Sequence, residues 1–111
     1  MPHKARPVHE VKANLFRVLG HPARVRILEL LRDEERSVGA LQAELHLDSG
    51  GASQHLAALR RIGLVESRRE GTSVYYRVDD ERVFELLEAG RAIITRQLAE
   101  QQSILHDLEE S

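Results

Sequence analysis

At 111 residues the chain suits one domain, and 41% hydrophobic with 31% charged residues excludes a disordered tail. The absence of cysteine excludes a disulfide scaffold, a thiolate metal site and a cysteine nucleophile. A net charge of −2 argues against a bulk polycation that coats nucleic acid, yet the charge is uneven: residues 49–78 hold 5 basic and 2 acidic side chains, and residues 79–111 hold 3 and 9. No stretch approaches the roughly 20 apolar residues of a membrane span. The opening MPHKARPVHE lacks the apolar core of a secretory signal, so a cytoplasmic protein with no membrane contact is expected.

In chain order, residues 1–8 carry two of the three prolines and little apolar content, and read as a mobile arm before a domain over 9–109. Helical spacing begins at Val8, with Val11, Leu15 and Leu19 recurring every four residues beside Phe16. Gly20 stops that helix, and Pro22 suits the first turn of a second, whose stripe holds Val25, Leu28 and Leu31. Ser37 is an N-cap for a third short helix, VGALQAELHL. DSGGASQHLAALRRIG is a fourth, capped by Asp48 or Ser49, with Leu56, Leu59 and Ile62 inward and Gly63 ending it.

The period then shifts from about 3.6 to about 2. LVESRRE and SVYYRV read as two strands joined at Gly71-Thr72. From Asp80 helical spacing returns for about 28 residues through Val83, Leu86, Leu87, Ile93, Ile94, Leu98, Ile104, Leu105 and Leu108. The predicted fold is mostly α with a small β-hairpin, in the order α-α-α-α-β-β-α. That order is a winged helix-turn-helix.

A recognition helix must bring small and polar groups to base edges while its back packs on the domain. Gly50, Gly51, Ala52, Ser53 and Gln54 supply little bulk and some polarity at the start of the fourth helix. Gln54 can pair its amide with adenine, and Ser53 can reach a base edge or a phosphate. Arg60 and Arg61, one to two turns further on, would meet phosphates or support the helix. Arg68, Arg69, Thr72 and Ser73 cluster at the hairpin, where a wing touches DNA backbone or minor groove. A plain surface helix and solvated edge arginines are the bland alternatives, and the wing behind the helix weighs against them.

Two segments carry a resemblance. Leu19-Gly-His-Pro-Ala-Arg24 and the run from Ser53-Gln-His-Leu56 through Gly63-Leu-Val65, in this order and with a wing behind them, resemble the ArsR/SmtB family of bacterial winged-helix repressors. The likeness covers about residues 12–95. It implies a homodimer on double-stranded DNA, released from its operator by a metal ion or another signal. It also places His55 in the recognition helix, packing or meeting a phosphate, while His21 reads as a cap or packing residue. Neither histidine has a serine or carboxylate at a catalytic spacing, so no enzyme is expected.

The last helix would span about 42 Å, more than a domain of this size can cover, so part of its stripe must pack outside the domain. In the resembling family the first and last helices form the two-fold interface, which implicates Val11, Leu15, Phe16, Leu19, Leu87, Ile94 and Leu98 here. Such a dimer sets two recognition helices roughly 34 Å apart and calls for an inverted-repeat operator.

The signal is less legible. The family's thiolate sites need cysteines, and Ser37 stands near that region. Its zinc pattern on the last helix falls on Asp80, Arg82, Ile93 and Arg96, where a cation or an aliphatic cannot ligate. No cofactor is evident. His3, His9, His106 and Glu109 are the remaining weak candidates for nickel or zinc, with solvated tail residues as the bland reading. Pro2 lacks the amide that an amino-terminal nickel or copper motif would deprotonate. The alternatives are therefore a metal sensor with a non-standard His/carboxylate site, control by a small molecule in the dimer groove or by a separate sensor or co-regulator protein, and a winged helix kept as a protein-protein module.

Overall fold

The computed structural model describes residues 6–47 and 49–111, so His3 and the Asp48 cap lie outside the described residues, as does the Ser49 side chain. Eight elements follow in chain order: α1 (Val8–Leu19), α2 (Pro22–Leu30), β1 (Arg36–Ser37), α3 (Val38–Leu45), α4 (Ser49–Arg61), β2 (Glu66–Glu70), β3 (Ser73–Arg77) and α5 (Arg82–Glu110). They fall into two compact units, Met1–Asp80 and Glu81–Ser111. Among the described residues no helix is long and apolar enough to cross a membrane.

In the first unit the helix boundaries follow local chemistry. Gly20 caps the end of α1. Pro22 opens α2, and His21 before it accepts the Ala23 amide at 3.2 Å through Nδ1. The Ser37 hydroxyl accepts the Ala40 amide at 3.1 Å and caps α3, while His46 ends that helix at φ 55°. The core is apolar: Ile27, Leu28, Leu41, Leu56, Leu59 and Val65 are fully buried, joined by Val18, Leu19, Leu31 and Ala52. α4 packs on α1, α2 and α3. None of the described polar or charged side chains is buried, so no unpaired polar group weakens this core.

The sheet has one strand more than the sequence reading predicts. Its order is β1-β3-β2, antiparallel throughout, with Arg36 opposite Tyr76 and Ser37 opposite Tyr75. Two residues carry no alternation, so β1 is invisible to periodicity; it forms because the outer edge of β3 offers unpaired amides and carbonyls. The hairpin itself follows expectation. Glu70 pairs with Ser73, leaving a two-residue loop in which Gly71 has φ 62°. Positive φ at the first loop residue alone is the II′ arrangement, whose twist matches the flanking strands.

The second unit is α5, 29 residues long. Val83 and Phe84 are its buried residues, and every position from Arg91 onward is exposed. Ile93, Ile94, Leu98, Ile104, Leu105 and Leu108 are between 56% and 68% exposed.

Candidate nucleic-acid interface

α4 separates into two faces along its axis. Ala52, Leu56 and Leu59 recur at i, i+4 and i+7 and are fully buried. Ser53, Gln54, Ala57, Arg60 and Arg61 are exposed and share the opposite side. That outward face is small and polar at the amino end and cationic at the carboxyl end. Gly50 is exposed and Gly51 half-buried, so the start of the helix carries no bulk. Arg60 and Arg61 make no hydrogen bond or ion pair among the described residues, which leaves both charges available.

His55 lies between these faces and is half-buried. Its Nδ1 accepts a hydrogen bond from Arg24 Nε at 3.1 Å, and its ring centroid stands 4.3 Å from that of His21 at a tilt of 54°. Burial, reinforced by the neighbouring His21 and Arg24, holds the His55 imidazole below the ordinary histidine value. His55 is thus engaged with α2. His21 serves both as the cap of α2 and as a packing partner for His55.

The wing divides its two arginines. Consecutive strand residues face opposite ways, so Arg68 shares a face with its cross-strand partner Tyr75, and Arg69 shares one with Val74. Arg68 Nε donates to Glu35 Oε1 at 2.8 Å, Arg68 Nη1 donates to Glu70 Oε2 at 2.6 Å, and Nη2 also pairs with Glu35. Its guanidinium carbon lies 4.6 Å from the centre of the Tyr75 ring. Arg68 therefore ties the loop before β1 to the hairpin, and a DNA contact from it would compete with two carboxylates. The hydrogen bond from Arg68 holds the Glu35 carboxyl below the usual carboxylate range, while Glu35 and then Glu70 hold Arg68 more firmly protonated. Arg69, Thr72 and Ser73 are exposed, and none has a side-chain partner among the described residues.

The residues singled out for a two-fold interface also separate. Val11 and Phe16 are exposed on α1, Leu15 is half-buried, and Leu19 is buried in the protomer's own core. On α5, Ile94 and Leu98 are exposed and Leu87 is half-buried. Among the described residues no three His, Asp or Glu side chains converge as a metal site would require. His9 is exposed on α1, and His106 Nε2 pairs with Glu110 at 3.2 Å, one residue beyond Glu109. Sequence reading did not find Arg24 or Glu35. Their partners lie 31 and 33 positions away, which no local pattern encodes.

A helix-turn-helix domain model matches residues 19–68, from the end of α1 through most of the wing's first strand. An uncharacterized HTH-type transcriptional regulator of Mycobacterium tuberculosis, Rv0081, is 41% identical over 106 residues, covering 95% of this chain and 93% of the relative. The crystal structure of M. tuberculosis Rv0081 superposes with a TM-score of 0.80, covering 87% of this chain and 98% of that one. A biofilm growth-associated repressor of Agrobacterium fabrum is 40% identical over 81 residues, 73% of this chain and 69% of its own. The transcriptional activator HlyU of Vibrio cholerae is 40% identical over 74 residues, 67% of this chain and 68% of its own. The solution structure of a homodimeric winged helix-turn-helix DNA-binding domain from Mycobacterium bovis, described as a possible ArsR-family regulator, matches with a TM-score of 0.69 at 34% identity over 88% of this chain and 94% of that one. With helices, wing and both motif segments in this arrangement, the chain belongs to the ArsR family of winged helix-turn-helix transcriptional regulators.

Proposed function

We propose that the protein is a homodimeric, non-catalytic regulator that binds inverted-repeat operator DNA and represses transcription by occluding polymerase. The carrying observation is the exposed face of α4, with Ser53 and Gln54 at its amino end and unpaired Arg60 and Arg61 at the other. In the major groove such a face gives base readout from Gln54 and Ser53 and phosphate contacts from the arginines. Arg69, Thr72 and Ser73 of the wing meet the adjoining backbone. Exposed Val11, Phe16, Ile94 and Leu98 support the two-fold interface, because a monomer gains nothing from leaving them in water.

Operator selection from random duplexes tests the reading, followed by transcription from a promoter carrying the selected site. Recovery of an inverted repeat with half-sites about one helical turn apart is the expected result. Failure to enrich any sequence overturns DNA recognition, and increased transcription would replace repression with activation. Gln54→Ala should relax base preference at one position by about 1–3 kcal/mol. Arg69→Ala should weaken all sequences alike and flatten the salt slope by about one. Repeating the selection with nickel, zinc and a chelator tests a metal-dependent response; among the described residues no three candidate ligands converge within one protomer.

A further inference from the structure

Arg24 reaches in two directions from the first turn of α2. Its Nη1 donates to the Val18 carbonyl in the last turn of α1 at 3.2 Å, and its Nε donates to His55 Nδ1 in α4 at 3.1 Å. One rigid guanidinium therefore bridges the end of α1 and the middle of α4. The direction of both bonds is fixed, because arginine only donates. His55 Nδ1 must carry a lone pair, and so must His21 Nδ1, which accepts the Ala23 amide. An Nδ1 that accepts from Arg24 holds the His55 imidazole neutral, with its proton on Nε2.

His55 follows Gln54 directly on α4, so whatever sets the rotation of His55 about the helix axis also sets Gln54 and Ser53. Base readout tolerates an error of only about 0.5 Å or 10–20°. Core packing of Leu56 and Leu59 is nondirectional and leaves small rotations open. The Arg24 bridge is directional and closes them.

We propose that Arg24 is a positioning residue for DNA reading: it locks α4 to the end of α1 through a neutral His55, and the tilted His21–His55 ring contact makes the lock proton-sensitive. This rests on the reading of α4 as the DNA-reading helix. Among the described residues the charges acting on His55 are those of His21 and Arg24, both at the start of α2. No carboxylate is among the groups acting on His55, although α1 carries Glu10 and α3 carries Glu44. Protonating His55 removes the acceptor and sets a cation against the guanidinium. The two electrostatic effects on DNA binding then oppose each other. An added proton strengthens attraction to phosphates on any sequence, whereas loss of the lock weakens discrimination.

The experiment measures the ratio of operator affinity to random-duplex affinity, with salt dependence, for the full-length protein. The variants are Arg24→Met, Arg24→Lys, His55→Phe and the Arg24→Met/His55→Phe pair, each kept well below its own Tm. Lysine retains the charge but cannot span both partners, and phenylalanine keeps the ring contact with His21 but offers no acceptor. Each single variant should lower the ratio about tenfold. The salt slope should be unchanged, and the pair should lose no more than the worse single variant. The wild-type ratio should fall as pH drops below the ordinary histidine value of about 6.5, because His55 is held below it, while that of His55→Phe stays flat. The inference is overturned if Arg24→Lys keeps the wild-type ratio, if the losses in the pair multiply, or if His55→Phe keeps the wild-type pH profile. A wild-type protein that fails to discriminate between duplexes would sink the DNA-reading assignment of α4 itself, and the inference with it.

Discussion

Arg68 and Arg69 are neighbours in sequence with opposite fates, and strand geometry is the reason. One turns to Glu35, Glu70 and the Tyr75 ring; the other has no partner among the described residues. The sequence reading weighed them as a pair, because alternation alone does not say which face meets a carboxylate 33 positions away. A Glu35→Gln/Glu70→Gln variant should release the Arg68 charge and steepen the salt slope of DNA binding by up to about one. An unchanged slope would place Arg68 away from the phosphates even when free. The Glu35 pairing also has a pH signature. A carboxyl held below its unfolded value adds stability above that value and loses it as pH falls through the folded one. Acid unfolding of wild type and Glu35→Gln should therefore converge at low pH. Gln54 and Ser53 were legible because they sit just off the Leu56–Leu59 stripe, and a helical period places such residues outward.

Elements were the most legible scale where a period or a cap marks them. Gly20, Pro22, Ser37 and Gly63 bound the helices as their chemistry dictates. Gly63 has φ 79° and turns the chain from α4 toward the wing, and Gly71 has φ 62° at the hairpin loop. A side chain at either position costs roughly 1–2 kcal/mol. Gly71→Ala should thus lower the Tm by several degrees and reduce the wing's contribution to operator affinity, as calorimetry and gel shift would register together. Leu59→Ala, which empties a fully buried position of α4, should cost about 2–5 kcal/mol in chemical denaturation. β1 escaped prediction because a two-residue strand has no pattern of its own; it borrows its geometry from β3.

At the scale of the whole molecule, α5 sets the outstanding question. Its apolar residues continue to Leu108, yet all those from Ile93 onward are exposed. A second copy of the chain is the partner that the proposed function supplies. Leu98→Glu combined with Ile94→Glu should convert a dimer to monomers in sedimentation equilibrium, with loss of operator binding and little change in helix content. A wild-type monomer at micromolar concentration would refute the two-fold arrangement. Phe84, buried at the helix start beside Val83, lies off the Val83–Leu86–Leu87 spacing, so periodicity alone does not single it out.

Local rules acting over three to seven residues were enough, from the amino-acid order alone, to specify the helices, the caps at Gly20, His21 and Ser37, the hairpin and the outward face of α4. What only folding decided is which distant groups meet: Arg24 with His55, Arg68 with Glu35, and Arg36–Ser37 with the edge of β3. The physical reason is range. Periodicity and capping are short-range constraints imposed by the backbone, whereas these partnerships join segments far apart in the chain and arise only after the core has brought them within hydrogen-bonding distance.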